Sequence, residues 1–280
     1  MRFRKIRRLL RDWTDFKHNK VFVSQGSVFT RSRSTDLRNT VIKMTGDSSL
    51  IIEDGAQVHD STFILTEGSH IIIGRNAVIG QVNLCLWKNS KLTIGENCSV
   101  FCVNFSLGKG MVEIGEHNVL HRGNQSDKPQ FSIADGTIEI EDHNNVKTSC
   151  WVRFGGRLHI GRYNCINEGS EIRCDESVRI GSYNMISYQC DIWDTNTHCS
   201  YSLEEKKQMF EQDFPRVGQE KSKPDTRPVV IGDGNWIGKR ACILKGSCIT
   251  DNVTVGTRAI VSNQVLNEGA TFISEKGRII

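Results

Sequence analysis

One histidine in this chain stands where the surrounding pattern calls for an aliphatic side chain. It is His198, in the segment Cys190-Asp191-Ile192-Trp193-Asp194-Thr195-Asn196-Thr197-His198-Cys199-Ser200. Imidazole titrates close to neutral pH, so proton transfer is the chemistry such a residue can offer. A ring nitrogen used in that way needs an orienting acceptor on its far side, and Asp194 is the nearest carboxylate in sequence. A plainer reading is that His198 ends a structural repeat and hydrogen-bonds to a loop carbonyl. On the residues alone both readings stand.

A second set of side chains leads toward His198. Aligning the chain on Ile140, Ile160 and Ile180 places Arg153, Arg173 and Trp193 in one column, and Trp151, Glu171 and Asp191 in the column two residues earlier. Both columns flank the aliphatic positions Val152, Ile172 and Ile192, so strand parity turns them outward. Tryptophan, arginine and carboxylate on one outward face suit a sugar: rings stack on its apolar side and charged groups hydrogen-bond its hydroxyls. The competing reading is a solvated face with ordinary cross-strand pairs.

The elements that would position these residues come from a repeat. The phrase Ile-Gly-x-x-Asn, or a close variant, recurs at Ile73, Ile94, Ile114, Ile160, Ile180 and Ile231. With Ile52 and Ile140 included, the intervals are 21, 21, 20, 26, 20, 20 and 51 residues. Inside each unit runs a period of six, unbroken through Ile231, Ile237, Ile243, Ile249, Val255 and Val261. Neither a helix nor an alternating strand has that period. Six residues make one short strand and a turn; three such sides, with two extra residues at a corner, make a coil of 20. Aliphatic side chains then stack inside a triangular prism. Small or amide residues fill the fifth place of many hexads (Asn164, Ser170, Asn184, Asn235, Ala241, Ser247, Val253, Ala259). That place turns inward at a corner too tight for a bulky group.

Two interruptions follow from the intervals. Between Ile114 and Ile140 a surface loop is expected around Gln125–Pro129. The larger one begins after Ile180, Ile186 and Ile192, whose next rung is His198, and ends at Val230-Ile231. An excursion over 199–228 leaves the prism there, with a polar helix-like piece from Leu203 to Phe210. Long loops in compact solenoids concentrate function.

The pattern [Ile/Val]-Gly-x-x-[small/Asn]-x, over roughly residues 50–270, resembles the hexapeptide-repeat acyltransferase family, and the segment around His198 resembles the active-site stretch of its sugar and polysaccharide O-acetyltransferases. The resemblance implies an all-β, left-handed parallel β-helix; handedness comes from the family alone, since parallel crossovers are ordinarily right-handed. It implies acetyl-coenzyme A as co-substrate, no metal, and direct acetyl transfer to a hydroxyl of a bacterial surface glycan such as a capsule or a lipopolysaccharide O-antigen. His198 would be the general base, with Asp194 or Asn196 as its orienting partner and backbone amides at the oxyanion. The stretch Pro228–Ile243 is the most family-specific, and Trp236, at an outward place, would pack near the thioester arm. Gly238, Gly256, Thr257 and Ala259 would line the pantetheine, and Lys239, Arg240, Lys245 and Arg258 would meet the nucleotide phosphates. Arg258 stands where glycine is common in the family. Trp151, Arg153, Arg173, Asp191 and Trp193 would hold the saccharide acceptor, and a homotrimer is implied.

Composition narrows the remaining classes. At 280 residues, 38% hydrophobic and 24% charged, the chain is globular rather than disordered. Residues 1–20 carry eight basic and two acidic side chains of a net +4, so the body sums to about −2 and a nucleic-acid surface is not expected. Ten cysteines without a CxxC pair, and no apolar secretory segment, read as reduced thiols in a cytoplasmic protein. Phe3, Ile6, Leu9, Leu10, Trp13 and Phe16 lie at near-helical spacing opposite the basic residues, so residues 1–20 read as an amphipathic helix. It would cap the first coil of a domain spanning 21–280, or lie on the inner membrane face. Three rival functions remain on the table. They are N-acetyl transfer to an amino-sugar nucleotide, a non-catalytic solenoid scaffold, and a metal enzyme like the γ-class carbonic anhydrases, for which His117 and His121 lack a third partner.

Overall fold

The structure, a computed structural model, describes residues 13–14, 18–124, 126–215, 218 and 220–273. The chain winds into a parallel β-solenoid. An 11-stranded ladder forms one face and a 21-stranded set forms the other two. Its central rung column is Ile52, Ile73, Ile94, Ile114, Ile140, Ile160, Ile180, Ile231 and Ile249, each in parallel register with the next. Every one of these side chains is 2% exposed or less. At roughly 1.5–3 kcal/mol for each fully buried isoleucine, this column is a main source of stability.

The fifth-place amides have a specific task. Asn118, Asn144, Asn164, Asn184 and Asn235 are buried, and each side-chain oxygen accepts the backbone N–H of the equivalent residue one coil later, at 2.7–2.9 Å. Where the same corner carries alanine or valine, the N–H of the next coil turns back within its own coil, as Ala77 N does to Gly74 O at 3.3 Å and Ala270 N to Asn267 O at 3.1 Å.

Regular coils begin at Lys20–Val23, which pairs with Val41–Met44, some fifty residues before the first Ile-Gly phrase at Ile73. The helix expected over residues 1–20 is corrected where the structure describes it: Trp13–Thr14 is a strand, antiparallel to Lys20 and Val21. An extended segment satisfies the open backbone edge of the first coil, which a helix cannot do. Residues 1–12 and 15–17 lie outside the described residues. Among the described residues no helix is long and apolar enough to cross a membrane.

The first interruption joins two 11-residue strands, Asn104–Ile114 and Gln130–Ile140, that pair along their length. The second leaves after strand Asp191–Trp193 and returns at Val229–Ile231. It contains one helix, Leu203–Asp213, started by a capping box in which Ser202 and Glu205 satisfy each other's backbone N–H. No residue of that helix is buried. Both ends of the excursion are fastened to each other: Asn196 N donates to Asp225 O and Arg227 N donates to Asp194 O.

The outward columns also need correction. Trp151 pairs with Arg173 and Arg173 with Trp193, while Ser149, Glu171 and Asp191 form the neighbouring column. Arg153 is in neither. The corner between Val146 and Cys150 is two residues shorter than its successor between Ile166 and Ile172, and the corner between Val152 and Leu158 is two longer. The two changes cancel within one coil, so the isoleucine intervals do not register them.

Candidate active site

Strand Asp191–Trp193 delivers the chain to a turn that is fixed from three sides. Asp194 is fully buried, and its two oxygens accept the backbone N–H groups of Asp175, Glu176 and Ser177 at 2.8, 2.8 and 2.7 Å. Burial pushes its carboxyl up, against those hydrogen bonds. Thr195 donates its hydroxyl to Asp175 at 2.8 Å and accepts Thr197 N–H at 3.0 Å. Arg153 grips the same Asp175 with two nitrogens, at 2.9 and 2.6 Å, and reaches the Thr197 carbonyl at 3.3 Å. Thr197 adopts φ 64°, a left-handed conformation rare for a β-branched residue. This network holds the residue before His198 and aims His198 outward.

The His198 side chain is 58% exposed, and its Nδ1 lies 2.9 Å from Oε1 of Glu220, whose side chain is 3% exposed. The other Glu220 oxygen accepts the Tyr201 hydroxyl at 2.7 Å, and Cys199 N–H adds a third donor at 3.3 Å. Burial opposes the Glu220 charge, but the hydrogen bonds from Tyr201, His198 and Cys199 outweigh it and hold the carboxyl below the ordinary range. An ionised carboxylate can only accept, so the proton of a neutral His198 ring sits on Nδ1 and Nε2 carries the lone pair. A carboxylate thus sets the tautomer of this ring.

Asp194 therefore does not orient His198, because both its oxygens turn back into the preceding coil. Asn196 is exposed and contributes its backbone N–H to the closure of the excursion. The orienting residue is Glu220, which comes from the returning arm. No spacing rule could have chosen it from among the excursion's carboxylates.

Around the strand leading to this turn, Arg173 lies between two indoles, 5.9 Å from the Trp151 ring and 5.1 Å from the Trp193 ring. Its Nε is paired with Glu171 at 2.5 Å. The indole nitrogens of Trp151 and Trp193 are buried without a partner. Burial, and then Glu171, push the Asp191 carboxyl up. These residues form one half-buried patch, rich in donors and aromatic surface.

Trp236 lies in the other sheet, between Met185 and Thr254, and is 54% exposed. One chain thus sets His198 and Trp236 on different faces. Gly238, Lys239, Arg240, Gly256, Thr257, Arg258 and Ala259 gather at a single corner over two successive coils, where Arg258 N donates to Lys239 O. A Cβ on Gly238 would fall 2.6 Å from Thr257 N, so only glycine allows that stacking. Ala259 is fully buried and its side chain faces the core. Lys239 and Arg240 are exposed, with Arg240 Nε 2.9 Å from the Gln189 side chain. Lys245 is apart from them, ion-paired with Asp225 on the returning arm. Among the described residues no group of three or more His, Cys, Asp or Glu is placed to hold a metal ion, and the ten cysteines are free thiols.

No protein-family profile matches the chain. A curated relative, the galactoside O-acetyltransferase of Escherichia coli strain K12, is 23% identical over 157 residues, covering 56% of this chain and 70% of that protein. Among solved structures, the polysialic-acid-specific acetyltransferase NeuO matches with a TM-score of 0.38 at 15% identity, covering 89% of this chain and 76% of its own. The polysialic acid O-acetyltransferase OatWY matches with a TM-score of 0.31 at 18% identity, covering 88% and 77%.

Proposed function

We propose that this chain is a hexapeptide-repeat acyltransferase with the left-handed parallel β-helix fold, and that it moves an acetyl group from acetyl-coenzyme A to a hydroxyl of a saccharide, with His198 as general base. The observation that carries the reading is the Glu220–His198 pair in the turn by which the chain leaves the aliphatic ladder. The co-substrate supplies an acetyl group already activated as a thioester. His198 Nε2 takes the proton of the acceptor hydroxyl as its oxygen attacks the thioester carbonyl. Glu220 stabilises the imidazolium so formed, and His198 returns the proton to the departing sulfur. No acyl-enzyme is required.

The acceptor rests against Trp151, Arg173 and Trp193, on the strands that lead into the His198 turn. Arg153 is a positioning residue in this reading, since it acts through Asp175 and Thr197. Trp236 and the Lys239, Arg240 and Arg258 corner receive the donor. Because one chain carries His198 and Trp236 on separate faces, the reading includes a homotrimer in which neighbouring prisms complete each other's site.

Calorimetric titration with acetyl-coenzyme A tests the donor half without knowledge of the acceptor. Saturable binding near one site per chain is the expected result; no binding at millimolar donor contradicts the reading.

A further inference from the structure

Four aromatic rings climb one corner of the solenoid. His117, His143, Tyr163 and Tyr183 occupy the same corner place in successive coils, with φ values of 56°, 62°, 56° and 61°. Their rings are stacked, with centroids 4.8, 4.8 and 5.2 Å apart. All four are exposed. The column then stops. The next coil puts Gly234 in this place, its N–H donating to Ser182 O just as Tyr183 N–H donates to Arg162 O, and the coil after that puts Asn252 there.

Neither backbone strain nor crowding accounts for the glycine. Gly234 has φ 67°, but the histidines, the tyrosines and Asn252 hold the same conformation with side chains. A Cβ on Gly234 would meet no atom within 4 Å. Gly55 occupies the same corner lower down, and there a Cβ would fall 2.3 Å from the Asn76 side chain. What the absent side chain does is leave the Tyr183 ring uncovered toward the next coil. Tyr183 is 63% exposed. Two strand spacings, about 10 Å, separate the Tyr183 and Asn252 corner places, which is room for one ring stacked on Tyr183.

The surroundings select the kind of ring. Met185, 61% exposed and two residues beyond Tyr183, flanks the opening and extends its apolar floor. The charges of this corner are acidic: Asp233 accepts Ser182 N–H, and Asp251 accepts Asp233 N–H. The nearby Arg162 is held by Glu141 and Asp142. Carboxylates here repel a nucleotide phosphate and accept hydrogen bonds from hydroxyl groups. We infer that the opening over Gly234 binds one uncharged pyranose unit of a glycan, its C–H face against Tyr183. This site is separate from the Trp151–Arg173–Trp193 patch, and it rests on the proposed function for the glycan's role as acceptor.

The test compares wild type with Gly234→Ala, Gly234→Tyr and Tyr183→Ala. Each is immobilised and titrated with neutral galactan and dextran fragments and with acidic polyuronate fragments, and each is titrated separately with acetyl-coenzyme A. Thermal melting confirms that each variant is folded. Wild type and Gly234→Ala should bind a neutral fragment, while Gly234→Tyr, which completes the ring column, and Tyr183→Ala should each weaken it by roughly tenfold. Acetyl-coenzyme A affinity should be the same in all four. Equal glycan binding by all four proteins overturns the site, as does a loss shared by Gly234→Ala, which would report backbone strain. A wild type that binds no fragment, or prefers the acidic ones, also overturns it, and so does a Gly234→Tyr variant that loses acetyl-coenzyme A instead. If wild type ignores acetyl-coenzyme A while the glycan pattern holds, the acetyl-transfer reading fails and the site stands.

Discussion

Glu220 lies 22 residues beyond His198 in the chain, yet its carboxylate stands 2.9 Å from the Nδ1 atom of that ring. The contact joins the point where the chain leaves the solenoid to the arm that brings it back. One hydrogen bond therefore sets the tautomer of the proposed base and adds a side-chain tie to the two backbone hydrogen bonds that close the excursion.

Removing the charge but not the shape isolates the first of these tasks. Glu220→Gln should lower kcat by roughly 10–10³-fold with little change in either KM, because an amide can present its N–H to the ring and favour the wrong tautomer. Steady-state kinetics at saturating donor checks this. A kcat within twofold of wild type, in a protein with unchanged melting behaviour, would show that Glu220 only fastens the loop.

The fastening has its own pH signature. The folded-state carboxyl of Glu220 is held below its ordinary range. Its contribution to stability is therefore full above the unfolded value of about 4.3 and is lost as pH falls through the lower folded value. Limited proteolysis of the 199–228 excursion should show constant protection from neutral pH down to about pH 5 and a loss only at more acidic pH. Loss of protection between pH 7 and about 5 would contradict the assignment.

Arg153 is predicted to act on stability and geometry together. Its partner Asp175 is 1% exposed at the side chain, so Arg153→Met leaves a buried carboxylate without its cation. A cost of about 3 kcal/mol is expected in denaturant unfolding. Activity should fall with it through displacement of Thr197, and Arg153→Met with Asp175→Asn should recover part of the lost stability. Additive losses in the double variant would refute the coupling.

Much of this architecture is legible in the sequence because a solenoid repeats its instructions. The isoleucine column and the fifth-place amides each have one physical job, and that job recurs every coil. His198 stands out for the same reason, as a histidine where the period calls for an aliphatic rung; in the fold Val229 takes that rung, in register with Val178, and His198 is carried outward. What the repeat conceals is anything that cancels within a coil. Arg153 was expected beside Arg173, but a corner shortened by two residues before Cys150 and lengthened by two after Val152 moves it to Asp175. Glu220 is hidden for a different reason: outside the repeat no periodicity links sequence distance to spatial distance, so the nearer Asp194 looked the better partner. The first coils, from Lys20, were illegible because their corners use Ser, Thr and Asn without the Ile-Gly phrase.

The acceptor patch predicts a division between the two substrates. Trp193→Ala removes one of the indoles that hold Arg173. It should raise the acceptor KM by about tenfold while leaving the acetyl-coenzyme A KM unchanged. A rise confined to the donor would place the sugar elsewhere.

The central claim is tested most directly by the rate at which free coenzyme A thiol appears from acetyl-coenzyme A in the presence of a glycan acceptor, for wild type and His198→Ala side by side. General-base catalysis by His198 predicts acceptor-dependent thiol release by wild type and a drop of roughly 10²–10⁴-fold in a folded His198→Ala protein that still binds the donor. Thiol release by His198→Ala at the wild-type rate would contradict it.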